Sequence, residues 1–122
     1  MMRPQFQLKY FVLRYTANVV SGEFLNIGLV MVALGDADFG DVRFLPSWTA
    51  VLDFDPNADV DFLNAFAEDV SKQIRRPENR GQLLQYMEDT FSNNIQLSTP
   101  RVCVSEDPDS ELDRLSGEYL LS

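Results

Sequence analysis

Arg14, Glu23 and Asn26 are the side chains of this sequence best suited to recognition chemistry. Arginine presents a planar fork to a carboxylate or phosphate, glutamate pairs with it, and an asparagine amide both donates and accepts. Gly28 lies two positions beyond Asn26, where a missing side chain leaves room for a ligand or another backbone. One reading is a binding site or partner contact. The other is structural, with Arg14 and Glu23 as an ion pair and Asn26 bonded to backbone at a bulge or strand end. On the residues alone the structural reading carries more weight. Gln96, Ser98 and Arg101 form a second polar group that extends the first if its strand lies beside that of Asn26. Otherwise it is a polar edge face, and that reading is preferred.

Other chemistries are narrowed by what the chain contains. It has no histidine, which removes the usual general base near neutral pH and the commonest metal ligand. With Cys103 as the single cysteine, zinc sites built from His and Cys are excluded. Asp53, Asp55, Asn57 and Asp59 have the spacing that begins a calcium loop. Ala58 stands where such a loop needs glycine and Asn64 where it needs a bidentate glutamate, so a loop leading into a helix is expected instead. Lys72, Arg75, Arg76 and Arg80 are the one basic cluster, read either as a dock for a phosphate or an acidic partner or as a helix C-terminal charge set with solvated tips. Cys103 lies between Val102 and Val104 and reads as a buried, inert thiol. Glycine-rich phosphate loops and nucleophile elbows are absent from the sequence. No cofactor and no metal is expected.

The elements that must position these residues follow from pattern. Gln7 to Thr16 is rich in Tyr, Phe and Val and reads as a first strand, with Phe11, Leu13 and Tyr15 on one face and Tyr10, Val12 and Arg14 on the other. A polar knot of Ser21, Gly22, Glu23 and Asn26 then precedes the longest apolar run, Ile27 to Leu34. Phe24 to Leu34 reads as a buried central strand. Gly35 to Asp38 signals a turn into a third strand, Phe39 to Leu45, and the short link favours an antiparallel hairpin. Ser47 is a candidate cap for a short helix through Leu52, and Trp48 a core or rim residue at one end of the sheet.

Asp59 to Arg76 is the clearest helix: Leu63, Phe66, Ala67, Val70 and Ile74 share a face, acids open it, bases close it, and Pro77 ends it. Asn79 is a candidate cap for a second helix from Arg80 to Thr90, with Leu83, Leu84, Met87 and Phe91 inward. After a break at Asn93-Asn94, Ile95 to Ser98 and Arg101 to Val104 read as a strand kinked at Pro100 or an edge strand. Ser110 to Leu121 forms a last helix with Leu112, Leu115 and Tyr119 inward. Strands followed by helices imply one α+β domain over residues 1–122: an antiparallel sheet of three to five strands with two or three helices packed mainly on one face.

The formal charge of −9 argues against nucleic acid and anionic membrane as partners, because phosphates would be repelled. The charge is uneven, since Arg43 is the only base between Asp36 and Asp69. No apolar run reaches the ~20 residues that span a bilayer. The N-terminal stretch lacks an apolar signal core, and the lone cysteine cannot close an internal disulfide, so the cytoplasm is expected.

Several motifs carry a family resemblance. LRY at 13–15, GEFLNIGLV at 22–30, FLPSW at 44–48, NIQLSTPR at 94–101 and DPDSELDRL at 107–115 resemble the bacterial domain-of-unknown-function family 3037, over roughly Tyr10 to Tyr119. The most specific parts are Glu23, Asn26 and Gly28 in the first element and Asn94, Gln96, Ser98 and Pro100 in the second. The resemblance implies no reaction and no catalytic residues. Members are often encoded beside HipA-like kinases, so the resemblance implies either such a kinase as protein partner or a pathway shared with it. The chain departs from other members in its first connection, TANVVSG, where a proline is common. The expectation is thus a non-enzymatic interaction or regulatory domain. The alternative is a small ligand-binding protein or enzyme acting on a nucleotide or phosphorylated substrate through Arg14, Glu23 and Asn26. Exposed sheet edges or helix faces also leave room for a homodimer.

Overall fold

The computed structural model describes residues 5–17, 22–35, 37–90 and 94–120. Ser21, Asp36, Phe91, Asn93 and Leu121, on which parts of the sequence reading fall, lie outside them. The described chain runs β1 (Phe6–Tyr15), β2 (Leu25–Ala33), β3 (Gly40–Phe44), α1 (Thr49–Phe54), α2 (Val60–Ile74), α3 (Pro77–Thr90), β4 (Ile95–Leu97), β5 (Arg101–Ser105) and α4 (Pro108–Leu120). The fold is α+β, with five antiparallel strands and four helices.

The sheet is organised by β1. It pairs with β2 along almost its whole length on one side, and with both β4 and β5 on the other. β3 adds outside β2, giving the order β3-β2-β1-β4 with β5 also beside β1. A strand with neighbours on both sides and layers on both faces must be apolar throughout, and Tyr10 to Leu13 are all buried. The segment from 95 to 105 is two strands rather than one kinked strand. Pro100 cannot donate to a ladder, so pairing lapses between them and resumes further along β1.

The helices divide between the faces. Leu13, Tyr15, Val30 and Val42 of the sheet pack with Val51 of α1, Leu63, Val70 and Ile74 of α2, and Met87 of α3. Leu8, Tyr10, Val12, Leu29 and Met31 pack on the opposite face with Leu112 and Leu115 of α4. The expected two or three helices become four, three on one face and one on the other.

Helix starts differ from the sequence expectation at α1, α3 and α4, the last opening at Pro108 rather than Ser110. Trp48, not Ser47, occupies the cap position of α1, while Ser47 bonds Thr49 from outside it. Pro77 both closes α2 and opens α3, a position where its missing N–H has no helical partner to lose. Asn79 is therefore inside α3, donating to Gln73 Oε1 at 2.7 Å. Two acids serve as caps: Asp59 accepts from the Phe62 N–H of α2 at 3.0 Å, and Asp107 from the Ser110 N–H of α4 at 3.3 Å. No helix among the described residues is long and apolar enough to cross a membrane.

Candidate functional site

The register of the sheet gathers three of the candidate residues in a row. Arg14 on β1 lies opposite Asn26 on β2 and opposite Gln96 on β4. Asn26 bonds to α4, so the row lies on the α4 face, at the end of the sheet where that helix terminates. A β-bulge creates this arrangement. Leu13 pairs with Gly28 but Arg14 with Asn26, which leaves Ile27 as the extra residue of β2.

The bulge also overturns one expectation. In an unbroken strand Asn26 and Gly28 would share a face. Here Asn26 turns to α4, while a Cβ on Gly28 would approach Leu13 Cδ1 and Phe44 Cδ1 at 3.0 Å in the opposite layer. Gly28 makes room for core packing of Leu13 against Phe44 and gives no access to the polar row.

Within the row, the Arg14 guanidinium lies over the Phe24 ring, 4.3 Å from its centroid. Phe24 is 48% exposed, so this cation–π pair caps the end of the sheet at the surface. Asn26 Nδ2 donates to the Tyr119 carbonyl at 3.1 Å, satisfying a carbonyl that the last turn of α4 leaves without a helical partner. Arg14 Nε and Asn26 Oδ1 are both buried without a protein partner. Glu23 is exposed in the segment leading into β2, and Gln96 is exposed on β4.

The remaining candidates have different positions. Ser98 takes part in the sheet itself: its N–H donates to Val12 O at 2.9 Å, and its hydroxyl accepts from Val12 N–H at 2.9 Å and donates to Thr99 O at 3.1 Å. Arg101 lies opposite Tyr10, four residues along β1 from Arg14 and so about 13 Å away at the usual strand rise. Its Nη1 donates to the Tyr119 hydroxyl at 3.2 Å. Tyr119 thus joins both polar groups, through its carbonyl to Asn26 and its hydroxyl to Arg101. The sequence marked it only as an inward residue of the last helix, and its double use had no signal there. The Tyr10 hydroxyl is pushed up to about 12 by burial and by its bond to Tyr119, which leaves it protonated and a poor base.

Other charged groups have structural partners. Asp55 accepts from Tyr15 OH at 2.7 Å, and burial together with that bond pushes the tyrosine up to about 12. Asp59 caps α2, so two acids of the calcium-like loop serve the fold. Among the described residues, no group of three or more Cys, Asp or Glu is placed to hold a metal ion. In the basic cluster, Lys72 pairs with Glu68 at 3.0 Å, and Arg75 with Asp41 at 2.8 Å. Arg80 Nε donates to Ile74 O at 2.8 Å at the end of α2. Trp48 packs edge-on against Phe44 and donates to Asn64 Oδ1 at 2.7 Å, a rim position. Cys103 is half-buried on the α4 face, and burial, then Glu111, pushes its thiol up.

Two clefts are lined without Arg14, Asn26 or Gln96: one of about 470 Å³ between α2 and α3, lined by Asp69, Gln73 and Asn79, and one of about 220 Å³ between β3 and α4, lined by Phe44, Asp113 and Gly117. The apolar surface is concentrated elsewhere. Val102 and Val104 on β5 are 67% and 53% exposed, the two most exposed large hydrophobic residues described. Among the described residues, β5 pairs with β1 alone, so its outer edge carries no strand.

No curated protein and no solved structure matches the chain. A family model does match, over residues 10–120, and the chain belongs to that family, DUF3037, described as a protein of unknown function.

Proposed function

We propose that the protein is a non-enzymatic interaction domain that presents the β5 edge to a protein partner. The observation that carries the reading is the pair Val102 and Val104, exposed on a strand whose outer edge is unpaired among the described residues. Exposed edges with apolar side chains are templates for strand addition, in which main-chain bonds supply affinity and alternate side chains specificity. The engagement of Asp59 in a cap, Arg75 in an ion pair, and Asp55 and Arg80 in hydrogen bonds within the fold supports it further.

A HipA-like kinase, the partner suggested by family resemblance, is the first protein to test, with the domain taken as bacterial and cytoplasmic. Binding of the purified kinase should be lost when Val102→Lys and Val104→Lys are combined, and kept when Arg14→Ala is made. The reverse result would sink the β5 reading. A second reading rests on the unpartnered Arg14 Nε and Asn26 Oδ1, which suit a small nucleotide or phosphorylated ligand held by Arg14, Glu23 and Asn26. Under that reading, nucleotides raise the melting temperature of the wild type and not of Arg14→Ala.

A further inference from the structure

Resting on the reading of β5 as an interaction edge, we propose that its occupant is a second copy of this chain, paired β5 to β5, antiparallel, about a two-fold axis at Cys103. The argument begins with backbone direction. Gln7 O accepts from Leu34 N–H on the β2 side, and the main-chain groups of successive strand residues alternate sides. Leu8 and Tyr10 therefore turn theirs to β5, where their opposites are Cys103 and Arg101. Val102 and Val104 are left with N–H and C=O groups on the outer edge, and their side chains are the exposed ones.

This edge is complementary to itself. A two-fold axis at Cys103 sets Val102 opposite Val104 of the partner copy, twice, and makes one apolar stripe of four valines. It also brings the basic start of the strand, Arg101, against its opposite end, where Ser105 leads into Glu106 and Asp107. A parallel pairing would instead stack Arg101 on Arg101. The devices that blunt natural edges are missing between Arg101 and Ser105: no proline, no lysine, no bulge. Both helix layers leave space at this edge, since α4 packs chiefly on β2 and β3, and on the valine face α2 packs on β3 and α1 on β2. Two-fold pairing of identical patches is also the commonest route to a closed oligomer. A five-residue strand buries little area, so the dimer is reversible and depends on concentration.

The test uses the whole chain in sedimentation equilibrium over a range of concentrations. The wild type is expected to move from one chain to two. Val102→Lys with Val104→Lys sets lysine against lysine at both valine pairs and should weaken association by roughly tenfold or more. Val102→Glu with Val104→Lys sets glutamate against lysine twice and should restore it, which also shows that changes at these positions leave the fold intact.

The single cysteine provides an independent readout. In this register the two Cys103 residues form a non-hydrogen-bonded cross-strand pair, about 4.5 Å between Cα atoms, within disulfide range. Diamide in mildly alkaline buffer should convert the wild type to a covalent dimer and leave the double-lysine variant single. A wild type that stays monomeric while kinase binding still depends on β5 overturns self-pairing and leaves the interaction reading standing. Failure of the Glu/Lys variant to recover overturns the Cys103-centred register. If neither self-association nor kinase binding responds to β5, both readings fail.

Discussion

The two edges of this sheet are finished in opposite ways. On β3, Asp41 accepts from Arg43 at 2.9 Å and from Arg75, at the C-cap of α2, at 2.8 Å, while Arg43 reaches Asp113 of α4 at 2.9 Å. Helices from both layers are thereby clasped to one edge strand. Arg80 lies against Gly40 and bonds the last carbonyl of α2, that of Ile74. On β5, by contrast, two valines face solvent and the outer edge carries no strand among the described residues. Charged and covered edges resist pairing, and open apolar edges invite it. The contrast teaches that the acids and bases of this chain, which by composition look like solubilising surface, are in part the seal on one edge.

The contrast is broken most severely at Gly40. A Cβ there would overlap the Arg80 guanidinium and crowd the Ile74 carbonyl. Gly40→Ala is expected to cost about 3 kcal/mol or more, as overpacking against backbone does. A thermal or urea melt close to wild type would mean that Arg80 moves aside without consequence, and that the β3 edge is not sealed this way.

Asp41→Asn attacks the same seal through charge. Asp41 has only 16% of its side chain exposed. Burial alone would raise its carboxyl, but bonds from Arg43, Arg75 and the Val42 N–H outweigh that and hold it below its ordinary 3.8. Loss of these bonds should cost about 2 kcal/mol at neutral pH. A lowered folded-state value stabilises the fold above the unfolded value and ceases to do so as pH falls through the folded one. The gap in melting temperature between wild type and Asp41→Asn should therefore shrink below pH 3.8, where the wild-type carboxyl protonates. A gap that stays constant to low pH would assign the stability to something other than the carboxylate.

Asn26→Ala asks whether the end of α4 is held as β3 is. One amide bond to the Tyr119 carbonyl is at stake, worth about 1 kcal/mol. Faster amide exchange in the last turn of α4 with partner binding intact is the expected outcome. Loss of binding at an unchanged melting temperature would make Asn26 a recognition residue instead. At the open edge, Val102→Lys with Val104→Lys should change monomer stability by no more than about 0.5 kcal/mol, since neither side chain is covered. A large loss would mean the valines pack within the molecule.

Much of this architecture was legible from local pattern. The alternation that puts Leu13 and Tyr15 opposite Tyr10 and Val12 recurs as the two buried layers. The helical spacing of Leu63, Val70 and Ile74 is the buried face of α2, and Asp59 caps it. These features depend on a residue and its near neighbours, where the repeat of strand or helix decides which way a side chain points. The pairing of Arg14 with Asn26, by contrast, is a matter of register and appears only in the folded sheet.

What the sequence by itself determined is therefore the identity and polarity of the elements: an α+β chain whose first strands are apolar on both faces. Tertiary structure decided where those faces meet. The bulge at Ile27 arises only when β2 is laid beside β1, and it alone separates Gly28 from Asn26. The placement of α4 on the face opposite α1 to α3 and the joint use of Tyr119 by Asn26 and Arg101 likewise need partners distant along the chain. Periodicity carries direction but not register, and register assigns each polar group either a partner or the solvent.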